Sequence, residues 1–190
     1  MKTKKFHLTG IIVFFLFLLP LLTLSAQNEK AASDAAEFQK IKKLAEDGDA
    51  NFQGELAEVY RRGEFGVEAD FDLALKWASI SAEKKNPLGI YNLAAIYRGG
   101  YFDARDFIKA DELFKEAFDG MKKLAETGNG RAQFDLGCMY AFGLGVEKNK
   151  PEALKYLKKA LENGRTKAAD IIESLNDLED GSDDDTDEEI

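Results

Sequence analysis

An all-α fold, a short solenoid of stacked helix-turn-helix units, is predicted by three observations. A motif of leucine, small residue, tyrosine and glycine occurs three times, a second helix register recurs behind each copy, and half copies flank the set. Self-similarity with a period of roughly 20–50 residues marks supersecondary units that stack on one another.

The copies read NFQGELAEVYRRG from Asn51 to Gly63, LGIYNLAAIYRGG from Leu88 to Gly100, and RAQFDLGCMYAFG from Arg131 to Gly143. They align as Leu56-Ala57-Tyr60-Gly63, Leu93-Ala94-Tyr97-Gly100 and Leu136-Gly137-Tyr140-Gly143, with tyrosines 37 and 43 residues apart. Leucine and tyrosine four places apart share one helix face, and the small residue lets a neighbouring helix come close. The glycine after the tyrosine suits the left-handed conformation that ends a helix.

The second helix of each unit is predicted to begin after Asp70, Asp106 and Asn149, all good N-cap residues. Its register repeats as Ala74 with Trp77, Ala110 with Leu113, and Ala153 with Tyr156, and Pro151 falls in a first turn, where a missing amide hydrogen costs little. A long helix over Phe107 to Glu126 accounts for the six additional residues of the second unit. Ile41 to Gly48 closely matches Met121 to Gly128, so residues from about Ala35 to Asp47 read as the second helix of an incomplete leading unit. Lys167 to Leu178 reads as a closing helix with Ala168, Ile171, Ile172 and Leu175 on one side. About eight helices and no sheet are expected.

The chain has 190 residues, of which 45 % are hydrophobic and 32 % charged, enough for one core of ordinary size. Residues 1–26 carry Lys2, Lys4 and Lys5, an apolar run from Ile11 to Leu24 broken by Pro20, and small Ser25 and Ala26, the layout of a removable export signal. The alternative is a retained membrane anchor. Without those three lysines, 23 bases face 35 acids, and nine of the acids lie between Asp177 and Glu189. That balance disfavours nucleic acid, which needs clustered Lys and Arg. The expected organisation is a signal over 1–26, a short linker over 27–34, a solenoid over 35–178 with full repeats at 50–86, 87–129 and 130–165, and a disordered acidic tail over 179–190.

The segment from Ala132 to Val146, AQFDLGCMYAFGLGV, closely resembles the SEL-one-like repeat, a relative of the tetratricopeptide repeat. The first copy keeps Gly63, Gly66 and Val67 with one added residue, while in the second the loop has decayed to Gly100-Tyr-Phe-Asp103. The resemblance covers roughly Ala35 to Leu178. It implies a short right-handed α-solenoid and a role in assembling complexes, signalling or host contact, as an exported bacterial member, periplasmic or secreted.

Composition narrows the chemistry. The only histidine is His7, inside the predicted signal, and the only cysteine is Cys138. Imidazole-based nucleophilic catalysis and the common zinc sites therefore lack their residues, and no internal disulfide can form. No catalytic, cofactor or metal residue is assigned. Cysteine-rich relatives are linked to β-lactam binding or hydrolysis, but this chain lacks those cysteines, so a hydrolase of β-lactam or cell-wall type is the weaker reading. Gly143-Leu-Gly-Val146 is not followed by Gly-Lys-Ser/Thr and reads as a helix end rather than a phosphate loop. The acidic tail fails calcium-loop spacing, leaving a cation-binding surface protein as a further alternative.

If the first helices line the concave wall as in tetratricopeptide arrays, the residues two before the leucine and one after the tyrosine project into the groove. Those are Gly54 with Arg61, Tyr91 with Arg98, and Phe134 with Ala141, joined by Arg131. Arg61, Tyr91, Arg98, Arg131 and Phe134 are thus the expected site for an extended or C-terminal peptide of a protein partner, arginines holding carboxylates and aromatics gripping side chains. The alternative is a solvated groove with both aromatics tucked against adjacent repeats. Cys138 is expected to be a small packing residue.

Overall fold

Helices in this protein start where a short polar side chain can satisfy the first free amides. In the computed structural model, which describes residues 8–100 and 106–180 and, within them, side chains from Gln27 to Asp177, six helices begin at such a cap. The elements are α1 (Leu8–Glu46), α2 (Ala50–Arg62), α3 (Phe71–Glu83), α4 (Pro87–Gly99), α5 (Phe107–Glu126), α6 (Gly130–Phe142), α7 (Lys150–Glu162) and α8 (Ala168–Asp180). Asp49, Asp70, Asn86, Asp106, Asn129 and Asn149 cap α2 to α7 in turn. There is no strand among the described residues.

The repeat motif does its work at the ends of α2, α4 and α6. Gly63, Gly100 and Gly143 all adopt the left-handed conformation, with φ of 65°, 68° and 69°. Each following loop then closes on the carbonyl of the motif tyrosine, through Asp70 N to Tyr60 O, Asp106 N to Tyr97 O and Asn149 N to Tyr140 O, at 2.8, 3.2 and 2.9 Å. One cap thus serves twice, ending a loop and starting a helix.

Each helix packs on its neighbours in sequence, and α2 also lies against α4. Gly54 makes that approach possible: a Cβ there would stand 2.6 Å from Leu88 Cβ. Gly137 does the same for α6 on α7, against Leu157 Cγ at 2.7 Å. Tyr91, Phe114, Met121, Phe134, Leu136, Met139, Tyr156 and Leu157 belong to the large core from α4 to α8, while Ile41, Ala45, Leu56 and Val59 join α1 to α2. Cys138 is buried, as expected of a packing residue.

Two expected boundaries are corrected. Residues 27–34, expected as a linker, continue α1 as helix, because Gln27, Glu29, Lys30, Ala31, Ala32 and Ala35 favour helix and no glycine intervenes before Gly48. The last helix runs to Asp180 rather than Leu178. The decayed loop after Gly100 and the acidic tail from 181 lie outside the described residues. Among the described residues no helix is long and apolar enough to cross a membrane.

Candidate interaction site

The array curves enough to bring the α2–α3 loop of the first repeat against the α7–α8 turn, about a hundred residues later. Charged side chains fill the space between. Glu58, fully buried on α2, lies with Oε1 2.7 Å from Arg62 Nε and Oε2 2.6 Å from Arg131 Nη1 on α6. Arg131 also pairs with Glu64 at 3.3 Å. Glu64 is further held by Arg165 and Lys167, each at 3.3 Å. Asp135, fully buried on α6, meets Arg62 Nη2 at 3.4 Å, while its Oδ2 is buried without a hydrogen bond. Arg61 Nε donates to Asn92 Oδ1 at 3.0 Å, and Asn92 Nδ2 donates to the carbonyls of Gly54 and Leu88.

Burial and charge set opposite tendencies within this cluster. Burial raises a carboxyl, yet Arg131, Arg62 and Arg61 together hold Glu58 well below the usual carboxylate range. Glu64 is lowered too, with Arg131, Arg165 and Lys167 outweighing its burial and the nearby Glu58. Asp135 goes the other way: burial, reinforced by the Glu58 charge, pushes it up to about 7 against the pull of Arg62, Arg61 and Arg131. Burial pushes the Cys138 thiol up strongly, with Asp135 adding to it.

The predicted groove residues fare unequally. Arg98 is exposed and makes no contact with the cluster, while Arg61 is half-buried on Asn92. Tyr91, Phe134 and Arg131 are only 4 %, 2 % and 5 % exposed, so they do not line an open groove. Tyr91 packs edge-on to Phe114, and Phe134 lies beneath Arg62 and Arg165, whose guanidinium carbons stand 5.1 and 5.9 Å from its ring centre. The aromatics are thus tucked against adjacent repeats, the alternative placement given above. The reason is helix spacing: the position two before the leucine faces the next helix pair, as Gly54 shows against Leu88 and Gly89.

Sequence reasoning passed over Glu58, Arg62, Glu64, Asp135 and Arg165. One signal was available: the residue before each motif leucine is polar, as Glu55, Asn92 and Asp135. A second was Gln53 and Gln133, each three before its leucine, whose Nε2 atoms donate to Ala45 O and Ala125 O at the end of the preceding helix.

A cleft of about 510 Å³ opens at the mouth of this cluster. It is bounded by Lys30 and Asp34 of α1, Gly63 to Gly66 of the α2–α3 loop, and Gly164 to Lys167 of the α7–α8 turn. Among the described residues no group of His, Cys, Asp and Glu is arranged to hold a metal ion.

The Sel1 repeat model matches residues 50–86, 87–120 and 130–164. The chitin synthase regulator SKT5 of Saccharomyces cerevisiae is 31 % identical over 119 residues, 63 % of this chain and 16 % of that protein. An uncharacterized protein of Neisseria meningitidis serogroup B is 35 % identical over 94 residues, 50 % of this chain and 18 % of that one. Activator of C kinase protein 1 of Saccharomyces cerevisiae is 30 % identical over 119 residues, 60 % of this chain and 18 % of that protein. This chain therefore spans under a fifth of the length of the curated relatives it matches. Among solved structures, a Sel1 repeat protein from Oxalobacter formigenes is similar at 28 % identity and a TM-score of 0.40, over 73 % of this chain and 98 % of that one.

Proposed function

Because this chain belongs to the Sel1 repeat family, we propose that it is a non-enzymatic adaptor, exported from the cytoplasm, that holds a protein partner along the curve of its repeats. Sel1 repeats generally mediate protein–protein interaction. The observation that carries the reading is the ion cluster itself. Glu58, Arg62, Arg131 and Asp135 join the first repeat to the third, which supports a scaffold that presents a charged mouth to a partner. Export is supported by the basic start and apolar run of residues 1–26. The names of two relatives, a regulator and an activator, describe proteins that act on other proteins.

Chemical cross-linking of the tagged chain in its native cell, followed by mass spectrometry and N-terminal sequencing, tests both parts. A reproducible partner cross-linked to the repeats and a start near Gln27 are expected. Recovery of the chain alone, or of turnover of a β-lactam reporter by the purified protein, overturns the adaptor reading, and an intact Met1 overturns export by cleavage.

A further inference from the structure

The position directly after the helix-ending glycine is informative. In the third repeat it is Leu144, buried in the core, whose amide donates to Met139 O. In the first repeat the same position is Glu64, whose amide donates to Val59 O in the same way. An apolar packing site has thus been given to a carboxylate. The loop turns through three residues of positive φ, Gly63, Phe65 and Gly66, at 65°, 56° and 75°, of which only Phe65 bears a side chain in that region. Glu64 lies inward, where its two oxygens serve three cations, Arg131, Arg165 and Lys167.

Those contacts are loose. All are 3.3 Å, whereas charge-assisted bonds settle at about 2.7–2.9 Å. In the whole cluster, five cations (Arg61, Arg62, Arg131, Arg165 and Lys167) face four carboxylates, Glu55, Glu58, Glu64 and Asp135. Lys167 is 56 % exposed and touches the cluster only through Glu64. The cleft walls beside it are bare backbone at Gly66 and Gly164, where an added Cβ would meet nothing within 4 Å. A main chain can therefore run close to both.

We propose that this cleft takes an extended acidic peptide segment of the partner, one of whose carboxylates is held by Arg165 and Lys167, and that Glu64 is a built-in competitor for those two cations. The inference rests on the adaptor reading and names the chemistry of its partner. On binding, the incoming carboxylate displaces Glu64, and Arg131 stays with Glu58, from which it is separated by only 2.6 Å.

The test is fluorescence anisotropy of a labelled Glu-Gly peptide titrated with the full chain, beside a Gln-Gly peptide as control. Glu64→Gln is expected to tighten the acidic peptide about tenfold, Lys167→Glu to abolish its binding, and the Gln-Gly peptide not to bind. Far-UV circular dichroism checks that each variant is folded, and Lys167→Glu, on an exposed side chain, keeps the test decisive if Glu64→Gln unfolds. Equal binding of both peptides, or acidic-peptide affinity indifferent to Lys167→Glu, overturns the proposal. A native partner cross-linked elsewhere, for instance at exposed Phe107 and Ile108, with no peptide binding at the cleft, removes this site and leaves the adaptor reading standing.

Discussion

Arg131 of the third repeat reaches Glu58 of the first, with 2.6 Å between Nη1 and Oε2, and both side chains are withdrawn from water. A charge buried in this way depends on its partner, because removing one leaves the other without solvent or counterion. Arg131→Met is therefore expected to destabilise the fold by about 3–5 kcal/mol in urea unfolding. The double variant Arg131→Met with Glu58→Gln should cost less than the two singles together, which a double-mutant cycle measures.

Asp135 gives the fold a distinctive pH response. Its folded value of about 7 lies above the ordinary 3.8, so the folded state binds the proton more tightly. Its contribution is favourable at acid pH and is lost as pH rises from about 4 to about 7. Glu58 and Glu64 are lowered, so theirs is present above about 4.5 and lost as pH falls below it. Asp135 is faced by Glu58, Arg62, Arg61 and Arg131, and lies near Tyr91 and Cys138. Asp135→Asn should flatten the decline of stability between pH 4 and 7 while sparing the acid limb, as read by urea midpoints across pH; an unchanged slope refutes the assignment.

Close helix approach makes Gly54 sensitive to a single methyl group. Gly54→Ala places a Cβ 2.6 Å from Leu88 Cβ and 3.0 Å from the Gly89 amide nitrogen, and backbone cannot move aside cheaply. A loss of about 1–3 kcal/mol is expected, despite the helix propensity gained by removing a glycine. Thermal unfolding of the variant measures it.

The Cys138 thiol is buried, and its proton is held tightly by that burial. The thiolate is the reactive form. Ellman's reagent should therefore leave Cys138 unmodified in native buffer at pH 8 and label it fully in denaturant; rapid native labelling would contradict the packing described.

The fold was legible because its signals are repeated. Asp70, Asp106 and Asn149 cap helices where the sequence places them, and Gly63, Gly100 and Gly143 end helices as the motif demands. The charged cluster was not legible because it breaks the repeat. Glu58 aligns with Ala95 and Cys138, and Glu64 with Leu144, so no periodicity marks either as special. Their pairing with Arg131 and Arg165 depends on how sharply the stack bends, a quantity that local propensity does not contain. Tyr91 and Phe134 sit two places before the motif leucine, a position that packs on the adjacent helix pair rather than on an open wall, and the repeat motif does not mark that facing.

Ideal repeat arrays, in which each unit touches only the next, can fray from either end one unit at a time. Here the salt links from Glu58 and Glu64 to Arg131 and Arg165 skip a unit, so loosening the last repeat unpairs charges in the first. The molecule should consequently melt as one block, and an extra copy spliced into its middle would prise those partners apart rather than lengthen the stack.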